Sequence, residues 1–208
     1  ILAIEDEPLN ALIQTEFDQS AISAVSKGSR IYGLPISYYQ LGFYYNKPLF
    51  AQLGLSEPDN WQSFLTLCQA LKKASIPPIY VGTESNWPAT AWFDYLNLRL
   101  NGLAFHLRLV KGQESFLDER VDRVFQALKP LIQSGYFIEK SENLEWKQGL
   151  PALYRGLVGM TMLGNYALQD MPKSVIKDIG FFKFPLIGKT SGYQEEAPLD
   201  ILVIPTQA

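Results

Sequence analysis

Residues 30–50, RIYGLPISYYQLGFYYNKPLF, decide how the rest of the chain is read. They parse as an extended segment, a turn, a second strand and the start of a helix. Ile31, Leu34 and Ile36 supply the apolar positions of the first strand, and the run GFYYN supplies aromatic strand formers for the second. Pro35 has no amide hydrogen to donate, which argues against a place paired on both sides. Asn46-Lys47-Pro48 then opens a short helix with a capping side chain and a proline in its first turn, and the helix ends at Leu53-Gly54. On chemistry alone the tyrosines are either a packed sheet face or rings offered to a ligand.

To either side of this stretch the pattern alternates between helix and strand. Glu5-Asp6-Glu7-Pro8 precedes a helix through Leu9, Leu12, Ile13 and Phe17; its acidic run reads as a solvated helix start favoured by the dipole. Ser20 is placed to cap a second short helix, and Lys27-Gly28-Ser29 reads as a turn. Asp59 or Asn60 opens a helix in which Trp61, Phe64, Leu65, Cys68 and Leu71 form one apolar stripe, so Trp61 and Phe64 are expected in the core. A short strand over 76–81 and a polar loop over 82–86 lead to Trp87-Pro88, the start of the next helix. Strand-to-helix junctions of α/β folds are where ligands bind, which leaves Trp87 as either a stacking platform or a core plug. Val121, Val124, Phe125, Leu128, Leu131 and Ile132 predict an amphipathic helix ended by Gly135, with Glu119, Arg120, Asp122 and Arg123 on its wet face. Trp146 and residues 150–154 form a further short helix. The stretch 157–163 is apolar on both faces, as buried strands are, and residues 180–185 read as a core strand. Residues 188–196 form a polar loop, and Asp200 interrupts an apolar strand, so that its carboxylate must face a cleft or find a partner.

Composition narrows the function without naming it. A chain of 208 residues with 47% hydrophobic and 19% charged residues has the make-up of a globular protein of one large or two small domains. A net charge of -3 gives no basic footprint for nucleic acid. The single cysteine, Cys68, reads as a buried structural thiol, and the single histidine, His106, lacks neighbours that would complete a metal site. No apolar run approaches the roughly eighteen residues of a membrane span. There is no phosphate-cradling glycine loop, nucleophile elbow or dinucleotide fingerprint, and no cofactor is implied.

The order of short motifs adds a resemblance. Y-G-L-P-x-S-Y-Y followed by Y-Y-N-K-x-L-F resembles the hinge region of the extracellular solute-binding proteins of sugar-type ABC importers, the family 1, maltose-binding-protein-like group. Similar in the same order are G-L-x-x-P-x-x-W from Gly54, L-C-x-A-L-K-K-A around Cys68, I-x-P-I ending at Ile79 and W-P-A-x-x-W-F-D-Y from Trp87. Gly135-Tyr136-Phe137, G-x-x-x-M-x-x-x-G from Gly156, G-F-F-x-F-P from Gly180 and A-P-L-D from Ala197 follow.

The resemblance implies an α/β, periplasmic-binding-protein-like (type II) two-lobe fold. Residues 1–37 would be the end of the N-terminal lobe with a hinge crossing, and residues 38–208 most of a truncated C-terminal lobe. It implies a receptor that takes a mono- or oligosaccharide in an aromatic-lined cleft and presents it to the permease. The parent would be a monomer, periplasmic or extracellular, lipid-anchored or secreted. In the family an aromatic residue faces the cleft where Tyr166 stands, with Asn165 beside it. The expected ligand-binding residues are Tyr38, Tyr39, Gln40, Trp87, Trp92, Asn165, Tyr166 and Asp200. A sugar needs aromatic planes for its C–H faces and amide, carboxylate and tyrosyl groups for its hydroxyl rim, and this set supplies both. Two alternatives stay open. One is a glycoside hydrolase using two of Asp94, Glu195, Glu196 and Asp200, although Glu195-Glu196 read as loop solvation. The other is a receptor of the same fold for a non-sugar solute.

Overall fold

The structure, a computed structural model, describes residues 1–188 and 194–207. In chain order the helices and strands are α1 (Glu7–Glu16), α2 (Gln19–Ala24), β1 (Ser26–Lys27), β2 (Arg30–Ile31), β3 (Leu34–Tyr38), β4 (Gly42–Asn46), α3 (Lys47–Gln52), α4 (Trp61–Lys73), β5 (Ile79–Tyr80), α5 (Trp87–Val110), α6 (Glu119–Gln133), α7 (Gly149–Tyr154), β6 (Met160–Leu163), α8 (Lys173–Ile176), β7 (Ile179–Phe182) and β8 (Leu199–Leu202). They gather into two compact units, residues 1–40 with 197–208, and residues 41–196. The sequence places a boundary between residues 37 and 38; the units part at Gln40, and residues 197–208 join the first because β8 pairs antiparallel with β3.

In the first unit, α1 starts at Asp6, whose carboxylate accepts the Leu9 amide at 2.8 Å. Asp18, rather than Ser20, stands at the cap position of α2. Ile4, Ile13, Ile22, Val25 and Ile31 form a small core. Pro35 lies in a two-stranded ladder with a register shift between Pro35 and Ser37, so its missing amide hydrogen deprives no second neighbour. Ile36, expected with Leu34 among the apolar positions of this strand, is exposed because the register shift between Pro35 and Ser37 falls on it and breaks the alternation that would place it beside Leu34.

The second unit is built on a four-stranded mixed sheet, ordered β5-β6-β4-β7. β4 runs antiparallel to both β6 and β7, while β5 runs parallel to β6. Every residue of β4 is buried, because helices cover both faces of the sheet. On one face Phe43 and Tyr45 pack with Phe64, Leu71, Trp92, Tyr95, Val124 and Leu131, from α4, α5 and α6. On the other, Tyr44 packs with Tyr80, Leu150, Leu153, Leu163 and Ala167. The adjacent tyrosines of the GFYYN run therefore serve opposite faces of one strand. Asn46 caps α3 through its Oδ1 at 2.8 Å from the Leu49 amide, and Asn60 and Ser63 form a reciprocal capping box on α4. Cys68 is buried in this core, and desolvation raises its thiol pKa. Only Val121, Val124 and Leu131 of α6 are buried; Phe125, expected on the apolar side, is 54% exposed and packs at a tilt against Phe93, with ring centroids 5.6 Å apart. Arg120, expected on the wet face, instead lies over the Phe105 ring and pairs with Asp118 and Glu114.

Burial gives the β4 tyrosines a measurable signature. Desolvation, with the nearby Tyr166, pushes Tyr44 up to about 12; desolvation, with the 2.6 Å hydrogen bond to Glu57, does the same to Tyr45. A neutral phenol favoured in the folded state contributes stability that is complete below the unfolded value near 10 and is lost as pH rises through about 12. Alkaline absorbance titration of the native chain should show these two phenolates forming only near pH 12, with unfolding accelerating in that range. Titration of all tyrosines near pH 10 without unfolding would contradict this packing.

Candidate functional site

At the end of β5 in the second unit, two close backbone approaches build an aromatic corner. A Cβ on Gly82 would meet the backbone of Glu145 and Trp146 at 2.5–2.6 Å, and one on Gly149 would meet the Tyr80 ring at 2.2 Å. These glycines let the segment 144–149 close directly over the strand. The Tyr80 hydroxyl fixes that segment by donating to the Glu145 carbonyl at 2.7 Å, and the Glu84 amide donates to the Leu144 carbonyl at 3.2 Å. Trp146 is thereby set against Trp87, which begins α5 after Asn86, a residue in the left-handed conformation with φ +60°. From the end of β6, Gly164 leads into the short 3-10 helix Asn165–Asp170 and brings in Tyr166.

The three half-buried rings meet edge to face. Trp146 and Tyr166 have centroids 5.2 Å apart at 75°, while Trp87 lies 6.4 Å from Trp146 and 6.3 Å from Tyr166, both at 70°. Asn165 is exposed beside Tyr166. Lys147 reaches back over the Trp146 ring at 5.2 Å and pairs with Asp170 at 3.1 Å. Trp146 carried no role in the sequence reading. Its signal was a tryptophan between Glu145 and Lys147, a poor setting for a core residue.

In the first unit, the sequence-expected residues sit at the end of the β3–β8 ladder. Tyr38 is 66% exposed. Asp200 on β8 accepts from the Ser37 hydroxyl at 3.2 Å and from the Tyr39 hydroxyl, which resolves how a carboxylate is accommodated inside that strand. The Tyr39 amide donates to the Pro198 carbonyl at 3.0 Å, and Gln40 is half-buried at the end of the unit. Trp92 is placed elsewhere. It is 2% exposed, wedged among Phe43, Phe137 and Phe184, because the α5 face that carries it is the one packed on the sheet.

The carboxylates weighed for hydrolysis have other engagements. Glu195, expected to be solvated in a loop, folds inward and pairs with buried Arg99 at 3.0 Å. Glu196 lies 3.7 Å from His106, and burial pushes it up to about 7, with Asp94 adding to the shift. Of the polar loop expected over 188–196, residues 189–193 lie outside the described residues. Among the described residues no cluster of His, Cys, Asp and Glu gathers that could hold a metal ion.

A mixed sheet covered by helices on both faces, with an aromatic corner at its strand ends, agrees with a sequence comparison in which the bacterial extracellular solute-binding protein profile matches residues 5–208. The chain belongs to this family. An uncharacterised ABC-transporter extracellular-binding protein of Pyrococcus horikoshii is 28% identical over 184 residues, 85% of this chain and 42% of that protein. The multiple sugar-binding protein of Streptococcus mutans is 26% identical over 173 residues, 78% of this chain and 40% of the relative. A crystal structure of the bacterial solute receptor AcbH, described as having an exclusive preference for β-D-galactopyranose, superposes with a TM-score of 0.82 at 28% identity, over 98% of this chain and 52% of that receptor. The chain thus spans about half, or less, of the length of the solute-binding proteins it matches. Its fold class is the α/β, type II periplasmic-binding-protein class, and the proteins it matches are binding proteins rather than enzymes.

Proposed function

We propose that this chain forms part of the substrate-binding component of an ABC importer, which captures a mono- or oligosaccharide and presents it to the membrane permease. The observation that carries the reading is the corner of Trp87, Trp146 and Tyr166. Perpendicular rings around one point offer flat apolar faces to the C–H side of a pyranose, and Asn165 beside them offers a donor and an acceptor to its hydroxyls. Tyr38, Tyr39, Gln40 and Asp200 supply further polar and aromatic groups of the same kind. The sugar-binding relative and the galactose-preferring receptor support this substrate class. In this reading the second unit belongs to the C-terminal lobe, the lobes close about a hinge, and the ligand binds the closed state better than the open one. The parent acts as a monomer outside the cytoplasmic membrane, lipid-anchored or secreted.

The test is a thermal-shift screen of the full-length receptor against mono- and oligosaccharides, with amino acids, polyamines and metal ions as controls. A sugar at one hundred times its dissociation constant should add about 2.7 kcal/mol to folding stability. Trp87→Ala should then weaken that sugar at least about tenfold, since half-buried aromatic anchors dominate such sites. Its circular dichroism and melting profile should stay near those of the parent. Shifts confined to non-sugar solutes, or full affinity in Trp87→Ala, would sink the carbohydrate assignment.

A further inference from the structure

The chain passes from the first unit to the second at Gln40–Leu41 and back at Glu196–Ala197. Inside the second unit these two crossing points are tied together, with the Leu41 amide donating to the Glu196 carbonyl at 3.1 Å. Helix α5 holds both. The Tyr95 hydroxyl donates to the Leu41 carbonyl at 2.5 Å and lies 3.1 Å from Glu195 Oε2. Arg99 binds the Glu195 carboxylate and the carbonyls of Phe184, Pro185 and Gln194. The Glu196 side chain enters a separate cluster, close to His106 and to Asp94.

The tautomer of His106 follows from its neighbours. Asn97 Oδ1 accepts from Asn101 Nδ2 at 2.8 Å, so the Asn97 amide nitrogen is the group that faces His106 Nδ1 at 3.1 Å. An amide donor at Nδ1 leaves the ring hydrogen on Nε2, the atom directed at Glu196 Oε1. The other charges nearby are engaged elsewhere. Arg99 is taken up by Glu195; on α6, which packs against α5, Arg120 pairs with Asp118 and Glu114, and Arg123 donates to Asn101. Among the described residues, Asp94 and His106 are therefore the charged or titratable groups that act on the Glu196 carboxylate.

We propose that the Asp94–His106–Glu196 cluster is a proton-responsive anchor for the two crossing points. With Glu196 protonated, the cluster holds one carboxylate and the crossing is quiet. With Glu196 ionised, a charge is held in a desolvated place 3.7 Å from His106 and within the field of Asp94, and the Leu41–Glu196 tie loosens. The sign follows from the raised folded-state value of Glu196, from 4.5 to about 7. The stabilising contribution is complete below the unfolded value and is lost as pH rises through about 7. How firmly the crossings are held therefore tracks the pH around the protein, whether or not a ligand is present.

Amide hydrogen exchange of Leu41, corrected for intrinsic exchange, reads the tie directly. From pH 6 to pH 8 the protection of that amide in the full chain should fall about tenfold, the linkage expected for a carboxyl moved from 4.5 to about 7. Glu196→Gln, which keeps the shape without the charge, should abolish the fall. Asp94→Asn, which removes the like charge, should move it to lower pH, and this variant together with the wild-type series decides the matter if Glu196→Gln does not fold. Equal wild-type protection at the two pH values overturns the proposal. So does a full tenfold fall in Glu196→Gln, or an unmoved transition in Asp94→Asn.

Discussion

Replacing Arg99 by methionine is expected to destabilise the chain by about 3–5 kcal/mol, the cost of breaking a buried ion pair from one side. Arg99 is 1% exposed, and its guanidinium lies 5.3 Å from the Tyr95 ring centroid and 5.8 Å from that of Phe184. It also satisfies the Glu195 carboxylate and the carbonyls of Phe184, Pro185 and Gln194. Methionine fills much of the volume but donates nothing, so a carboxylate and several carbonyls lose their donors in a poorly hydrated place. Lysine preserves the charge but not the planar fork, and should recover part of the loss. Adding Glu195→Gln to Arg99→Met should also recover part, because the orphaned charge is removed with it. Urea unfolding midpoints measure all three; a loss below about 1 kcal/mol in Arg99→Met would show that water replaces the guanidinium.

Phe43→Ala should cost a similar amount, about 3–5 kcal/mol, by a different mechanism. The Phe43 ring is fully buried at the centre of the sheet, with centroid distances of 5.0 Å to Phe64, 5.5 Å to Trp92, 5.0 Å to Phe182 and 5.7 Å to Phe184. These partners come from α4, α5, β7 and the segment after it, so they cannot all collapse into the vacated space. The urea slope should stay constant while the midpoint falls, the mark of a cavity in an otherwise unchanged fold. A loss under about 1.5 kcal/mol would mean that the neighbouring rings close the gap.

These two residues also show what was legible in advance. The strand, helix and cap order around GFYYNKP followed from local rules, and β4, α3 and their Asn46 cap lie where those rules put them. Phe43 was readable as a strand residue, whereas its place between two helical layers was not. The same period-two alternation fits a sheet with one covered face and a sheet with two. Arg99 carried no expectation beyond its place in the helix that begins at Trp87. Its partners lie 85–96 positions away in sequence, and no local pattern marks them.

The aromatic corner divides in the same way. Trp87 stood out because it begins a helix after a strand and loop, and Tyr166 because the motif order resembled a known family. Trp146 could be placed only once Gly82 and Gly149 were seen to let its segment lie on β5. Trp92 stands in the same motif as Trp87, yet its five-residue offset turns it to the sheet side of α5. The sequence by itself determined the α/β class, most element positions, most of the caps and the family, because these depend on short-range propensity and on residue order. The tertiary structure alone decided which aromatic rings are core and which face outward, and which carboxylates are buried. It also decided that the crossing points of the chain rest on α5. Those outcomes depend on contacts between residues far apart in the chain, where burial and desolvation act and local pattern carries no information.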